Sequence, residues 1–76
     1  MLKMAFQVVE FTVDSDNKVL DRKVIPYRYM TFNDAVDAIE SVLPTLSASG
    51  YERNGNCWSA VTDDGNKRVI FEIESV

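Results

Sequence analysis

The sequence contains no histidine and a single cysteine, Cys57. Without histidine there is no imidazole acid–base catalysis, no Ser-His-Asp or Cys-His nucleophile system, and no access to the commonest transition-metal ligand. With one cysteine no internal disulfide can form, which fits a chain folding in a reducing, cytoplasmic compartment. No apolar run approaches the roughly 18 residues of a membrane span. The opening stretch, Met1 to Phe6, meets Gln7 and Glu10 too early for the apolar core of a secretory leader. There is no Asn-x-Ser/Thr glycosylation site. Only three glycines and two prolines occur, and no linker, repeat or low-complexity segment divides the chain. Residues 1–76 are therefore expected to form one domain.

What is present is ordinary globular composition, 46% hydrophobic and 26% charged, enough apolar material to fold rather than stay disordered. A core built from 76 residues is thin, and domains of this size often draw stability from disulfides, a metal or a partner subunit. Twelve acids against eight bases give a net charge of −4. The bases Lys3, Lys18, Arg22, Lys23, Arg28, Arg53, Lys67 and Arg68 are interleaved with acids, so no stretch reads as strongly positive. Since phosphate neutralisation supplies most nucleic-acid affinity, this balance speaks against a DNA or RNA partner.

Punctuation splits the chain into five elements. Met4 to Val13, rich in Phe and Val, ends at the turn cluster Asp14-Ser15-Asp16-Asn17, and Val19 to about Tyr29 returns as the second arm of a hairpin. Pro26 has no N–H to donate and places that second strand at the side of the sheet. Thr31-Phe32-Asn33-Asp34 fits a capping box, with the Thr31 hydroxyl on the Asp34 amide and the Asp34 carboxylate reaching back. Phe32, Ala35, Val36, Ile39, Val42, Leu43 and Leu46 then recur at helical spacing. Pro44 predicts a kink with the helix continuing to Leu46. Gly50 is the expected left-handed residue after its end, with Tyr51 packing back on Leu46.

The last third reads as a second hairpin. A loop at Asp64-Gly65 sets Thr62 opposite Lys67, Ala60 opposite Val69, Trp58 opposite Phe71 and Asn56 opposite Ile73. That register gathers Trp58, Ala60, Val69, Phe71 and Ile73 on one face, and a one-residue slip would scatter them. The prediction is an α+β fold of β-β-α-β-β order with a four-stranded sheet and one helix on one face. The apolar first and last strands lie in the middle, side by side and parallel, giving strand order 2-1-4-3.

With Trp58, Asp63, Asp64 and the alternating Val69, Phe71, Ile73, this arrangement resembles the β-grasp architecture of the immunoglobulin-binding domains of protein G. The resemblance covers about a quarter of the chain and implies a fold only, since fold alone does not carry function.

Three stretches invite a chemical reading and lose it on inspection. Asp14-x-Asp16-Asn17 begins like a calcium loop, but Lys18, Val19 and Ile25 stand where an oxygen ligand, a glycine and a glutamate are required. Asn54-Gly55-Asn56 precedes a strand, not a helix, and reads as a bulge or turn rather than an anion cradle. Cys57 falls opposite Glu72, whose charge discourages a thiolate. No catalytic residue, metal ligand or cofactor site is expected, and the chain reads as non-enzymatic.

Two surfaces remain. Asp34, Asp37 and Glu40 form an acidic stripe on the outer face of the helix, favoured near its start by the macrodipole. The sheet also carries more apolar residues than one helix can cover. Val61, Ile70 and Cys57 point away from the Trp58 face, and the first strand offers Met4, Phe6 and Val8 in one phase and Val9, Phe11 and Val13 in the other. The leading expectation is a protein-interaction or regulatory module, homodimeric through the uncovered sheet face, with Tyr27, Tyr29, Val61 and Ile70 at the interface. The alternative is an acidic inhibitor or nucleic-acid mimic that docks Asp34, Asp37 and Glu40 into a basic groove. In size and charge that alternative is similar to phage-encoded inhibitors such as anti-CRISPR proteins.

Overall fold

A computed structural model describes residues 5–76. The elements are β1 (Phe6–Asp14), β2 (Val19–Tyr29), α1 (Phe32–Leu46), β3 (Glu52–Asn54), β4 (Cys57–Val61) and β5 (Lys67–Ser75). All five strands lie in one sheet of order β2-β1-β5-β4-β3, every neighbouring pair antiparallel, with α1 packed on one face. The expected strand start at Met4 lies outside the described residues.

The α+β class, the central placement of the first and last strands and the edge position of β2 agree with the sequence. Their relative direction does not: β1 and β5 run antiparallel, from Phe6 opposite Ser75 to Asp14 opposite Lys67. The cause is the short strand β3. It pairs Asn54 with Cys57 across the two-residue turn Gly55-Asn56, adding one reversal between the helix and the last hairpin. Gly55 has φ +65°, the left-handed conformation that a tight hairpin turn asks of glycine at its first central position. Five strands with antiparallel centres are not the four-stranded β-grasp arrangement.

The turn between β1 and β2 is built from its aspartate. Asp14 Oδ1 accepts the amides of Asp16 and Lys18, both at 2.9 Å, and Asn17 takes φ +63°, which a short polar side chain tolerates. On β2, Ile25, Pro26 and Tyr27 bulge out opposite Val8, and Leu20 makes a second irregularity opposite the Thr12–Val13 step. The β1–β5 register runs unbroken, so the alternation along β1 is intact. Phe6, Val8 and Glu10 face the helix, while Val9, Phe11 and Val13 face away.

Helix α1 begins where its cap predicts. Thr31 Oγ1 accepts the Asp34 amide at 3.0 Å, and only this half of the capping box forms among the described hydrogen bonds. The helix passes through Pro44 and stops at Leu46, with Ser47 in extended conformation donating its amide to the Leu43 carbonyl. Gly50, at φ +101°, therefore lies in the following loop, and the expected left-handed ending at that glycine does not form. The loop is tied instead by the Ala48 amide donating to Asp63 Oδ1 at 2.9 Å.

The last hairpin follows the expected register through Val61–Arg68, Ala60–Val69 and Trp58–Phe71, and the Ile73 amide donates to the Asn56 carbonyl. Its turn is wider than a two-residue loop, with Gly65 donating to the Thr62 carbonyl at 2.8 Å. Hydrogen bonds from the Thr62 hydroxyl and the Asn66 amide hold the Asp64 carboxyl below its ordinary value. The core forms between this hairpin and the helix, where Val8, Trp58, Ala60, Val69, Phe71 and Ile73 meet Ala35, Val36, Ile39 and Leu43. Fully burying side chains of this kind is worth about 1.5–3 kcal/mol each, which sets the helix over this part of the sheet.

Candidate interaction surface

The helix occupies one face of the sheet; among the described residues nothing packs on the other. That open face carries Val9, Phe11 and Val13 from β1, Ile70 from β5, Cys57 and Val61 from β4, and Val24 from β2, placed by the cross-strand pairs Val9–Val24, Phe11–Ile70, Ser59–Ile70 and Val61–Arg68. Val9 and Val13 are buried even here, Phe11 and Ile70 are half-buried, and Val24 and Val61 are exposed. Beside them the Arg22 guanidinium lies 5.8 Å from the centre of the Phe11 ring, so a long basic side chain covers part of this face.

Charge is ordered along β5. On the open face it presents Arg68, Ile70, Glu72 and Glu74 in succession, basic at one end and acidic at the other. Cys57 sits opposite Glu72, and partial burial followed by the Glu72 charge pushes its thiol above the ordinary value. A protonated, half-buried thiol is a poor nucleophile.

The four expected interface residues separate into two pairs. Val61 and Ile70 share the open face. Tyr29 pairs with Phe6, whose ring meets Phe32 of the helix edge-on at 5.9 Å, so Tyr29 belongs to the helix side. Tyr27 lies against Tyr29, ring centres 4.5 Å apart, at the β2 edge. The bulge at Pro26 separates these tyrosines from the face their spacing suggested.

The acidic stripe is also divided. Asp34 and Asp37 are exposed, but Glu40 Oε2 accepts the indole Nε1–H of Trp58 at 3.0 Å. Trp58 is fully buried, and the Arg53 guanidinium covers its ring at 4.7 Å while its Nε donates to the Gly55 carbonyl. Arg53 also stands 3.9 Å from Glu40. Glu40 thus joins the helix to the sheet and satisfies the one polar atom of a buried tryptophan.

Among the described residues two concave regions stand out. One, of about 210 Å³, lies between α1 and the β1–β2 side, lined by Val8, Ile25, Tyr29, Val42 and Leu46 with Glu10 as its single charge. The other, of about 230 Å³, lies beside Tyr51, Ser59, Val61 and Arg68. Both are smaller than the roughly 300 Å³ at which pockets for drug-sized ligands begin, so surfaces are better candidates than cavities. Among the described residues no group of three or more Cys, Asp or Glu side chains is placed to hold a metal ion. No described helix is long and apolar enough to cross a membrane.

One feature escaped the sequence reading. Lys18, Arg22, Lys23 and Arg28, half of the eight bases, fall on or beside the edge strand β2, with Asp21 the only acid in that stretch. Summing charge strand by strand, instead of along the whole chain, would have found it. Compared with family models, curated proteins and solved structures, the chain has no significant match.

Proposed function

We propose that the protein is a non-enzymatic interaction module that pairs with a second copy of itself through the open face of the sheet. The observation supporting this reading is the self-complementary order of β5. A two-fold axis through Ile70 sets Ile70 on its counterpart and Arg68 against the partner's Glu72, and the reverse. Val61 and Phe11 flank that centre. Strands of nine, eleven, three, five and nine residues, at about 3.3 Å per residue and about 4.8 Å between strands, give a face on the order of 600 Å², below the ~800 Å² per partner of standard interfaces but within the range of weaker ones. The alternative, an acidic inhibitor or nucleic-acid mimic, would rest on Asp34 and Asp37, because Glu40 is engaged with Trp58 and Arg53. Two carboxylates poorly imitate a duplex that carries a charge every ~1.7 Å.

Light scattering across a dilution series, at low and high salt, tests the dimer. The expected result is a dimer that survives salt because its centre is apolar, becomes monomeric in Ile70→Lys, and weakens in Arg68→Glu but recovers in Arg68→Glu/Glu72→Arg. A monomer at every concentration, or an Ile70→Lys variant that stays dimeric, overturns the reading.

A further inference from the structure

We propose that the outer edge of β2 is a docking site for an extended acidic segment of a partner protein, which adds to the sheet as a sixth strand. The other edge is the three-residue β3, too short to template a strand. β2 is eleven residues long and, among the described residues, pairs with β1 on one side only, leaving its outer backbone amides and carbonyls without a strand partner there. Before the bulge at Ile25–Tyr27, where the Pro26 nitrogen carries no hydrogen, Val19–Val24 offers a six-residue row, with one irregularity at Leu20, for strand addition.

Charge selects the occupant. Lys18, Arg22, Lys23 and Arg28 lie along this edge with Asp21 as the only acid, whereas the rest of the chain holds eleven of the twelve acids. None of the four bases forms an ion pair among the described residues, where the single salt bridge joins Arg53 to Glu40. On the inner side, β1 already sets Glu10 opposite Lys23, and an added strand with acids at alternate positions would repeat that pairing outside. A second copy of β2 is disfavoured by the same charges, since self-pairing brings together two edges each with four bases and one acid. Val19 and Val24 stand exposed on the same face as Arg22 and Arg28, opposite Val13, Val9, Phe11 and Gln7 of β1, and add apolar contact between the bases there.

The test uses the full chain and an eight-residue peptide of alternating Val and Glu, with a Val/Lys peptide and a single-stranded oligothymidine as comparators. The Val/Glu peptide is expected to bind with amide-exchange protection confined to residues 19–24. Its affinity should fall on the order of tenfold in Arg22→Glu/Lys23→Glu, whose exposed positions leave folding intact by circular dichroism. It should fall again as salt rises. Absence of Val/Glu binding at millimolar concentration, equal binding of Val/Lys, protection elsewhere, or stronger protection of this edge by the oligothymidine overturns the proposal.

Discussion

On the helix side of the sheet Trp58, Phe71 and Ile73 lie under α1 with no more than 4% of their surface exposed, while on the other side Val61 and Val24 stand about two-fifths exposed beside a half-buried Ile70. The residue types are similar and the strands are the same strands. What differs is the neighbour: a helix whose Ala35 and Ile39 fill the gaps on one side, and only intervening arginines and glutamates on the other. Apolar content alone therefore does not mark a core. A core needs a second layer, and a face without one is either screened by long charged side chains or covered by another molecule.

The largest test of that contrast is truncation on either side. Trp58→Ala should cost about 3–5 kcal/mol, close to the whole stability of a domain this small, and urea unfolding followed by circular dichroism should find it largely unfolded. Ile70→Ala, half-buried on the open side, should cost only about 1 kcal/mol. Equal losses would mean that the open face is as tightly packed as the covered one.

A smaller effect is expected where the helix is fastened to the sheet. Glu40→Ala leaves the buried Trp58 indole N–H without its acceptor and should cost about 1–3 kcal/mol, whereas Glu40→Gln keeps an acceptor and should recover most of that. If the two variants unfold alike, packing and not the hydrogen bond fastens α1.

The mildest probe reads the open face through Cys57. Its thiol ionises above the ordinary range, first from burial and then from Glu72, so alkylation near pH 8 should be slower than for a small free thiol and faster in Glu72→Gln. Because the folded value is raised, the stabilisation linked to the neutral thiol is present at neutral pH and is lost as pH climbs through the alkaline range. Alkylation that slows further as protein concentration rises would place a second copy over this face. A rate independent of concentration would leave the face open.

The two hairpins show why some of this was legible in the chain and some was not. In β4 and β5, large apolar residues occupy one phase, so a single register buries Trp58, Val69, Phe71 and Ile73 together, and that register forms. In β1 both phases are apolar, and nothing local decides whether Val8 or Val9 meets the helix. The unbroken pairing with β5 makes that choice, and the bulge at Pro26 carries Tyr27 and Tyr29 away from Val61 and Ile70. Glu40 read as part of an acidic stripe because its bond to Trp58 spans eighteen residues of sequence.

By itself the sequence determined the local elements: the Thr31 cap, the amphipathic period through Pro44, the Asp14 turn and the register of the last hairpin. Each of these depends on residues within a few positions of one another or across a single hairpin. Only the tertiary structure decided the direction of β5 against β1, which face of β1 is covered, and which charges stand free. Those depend on one extra reversal at Gly55 and on packing between distant segments, where many arrangements satisfy the same local pattern and only the shared core selects among them.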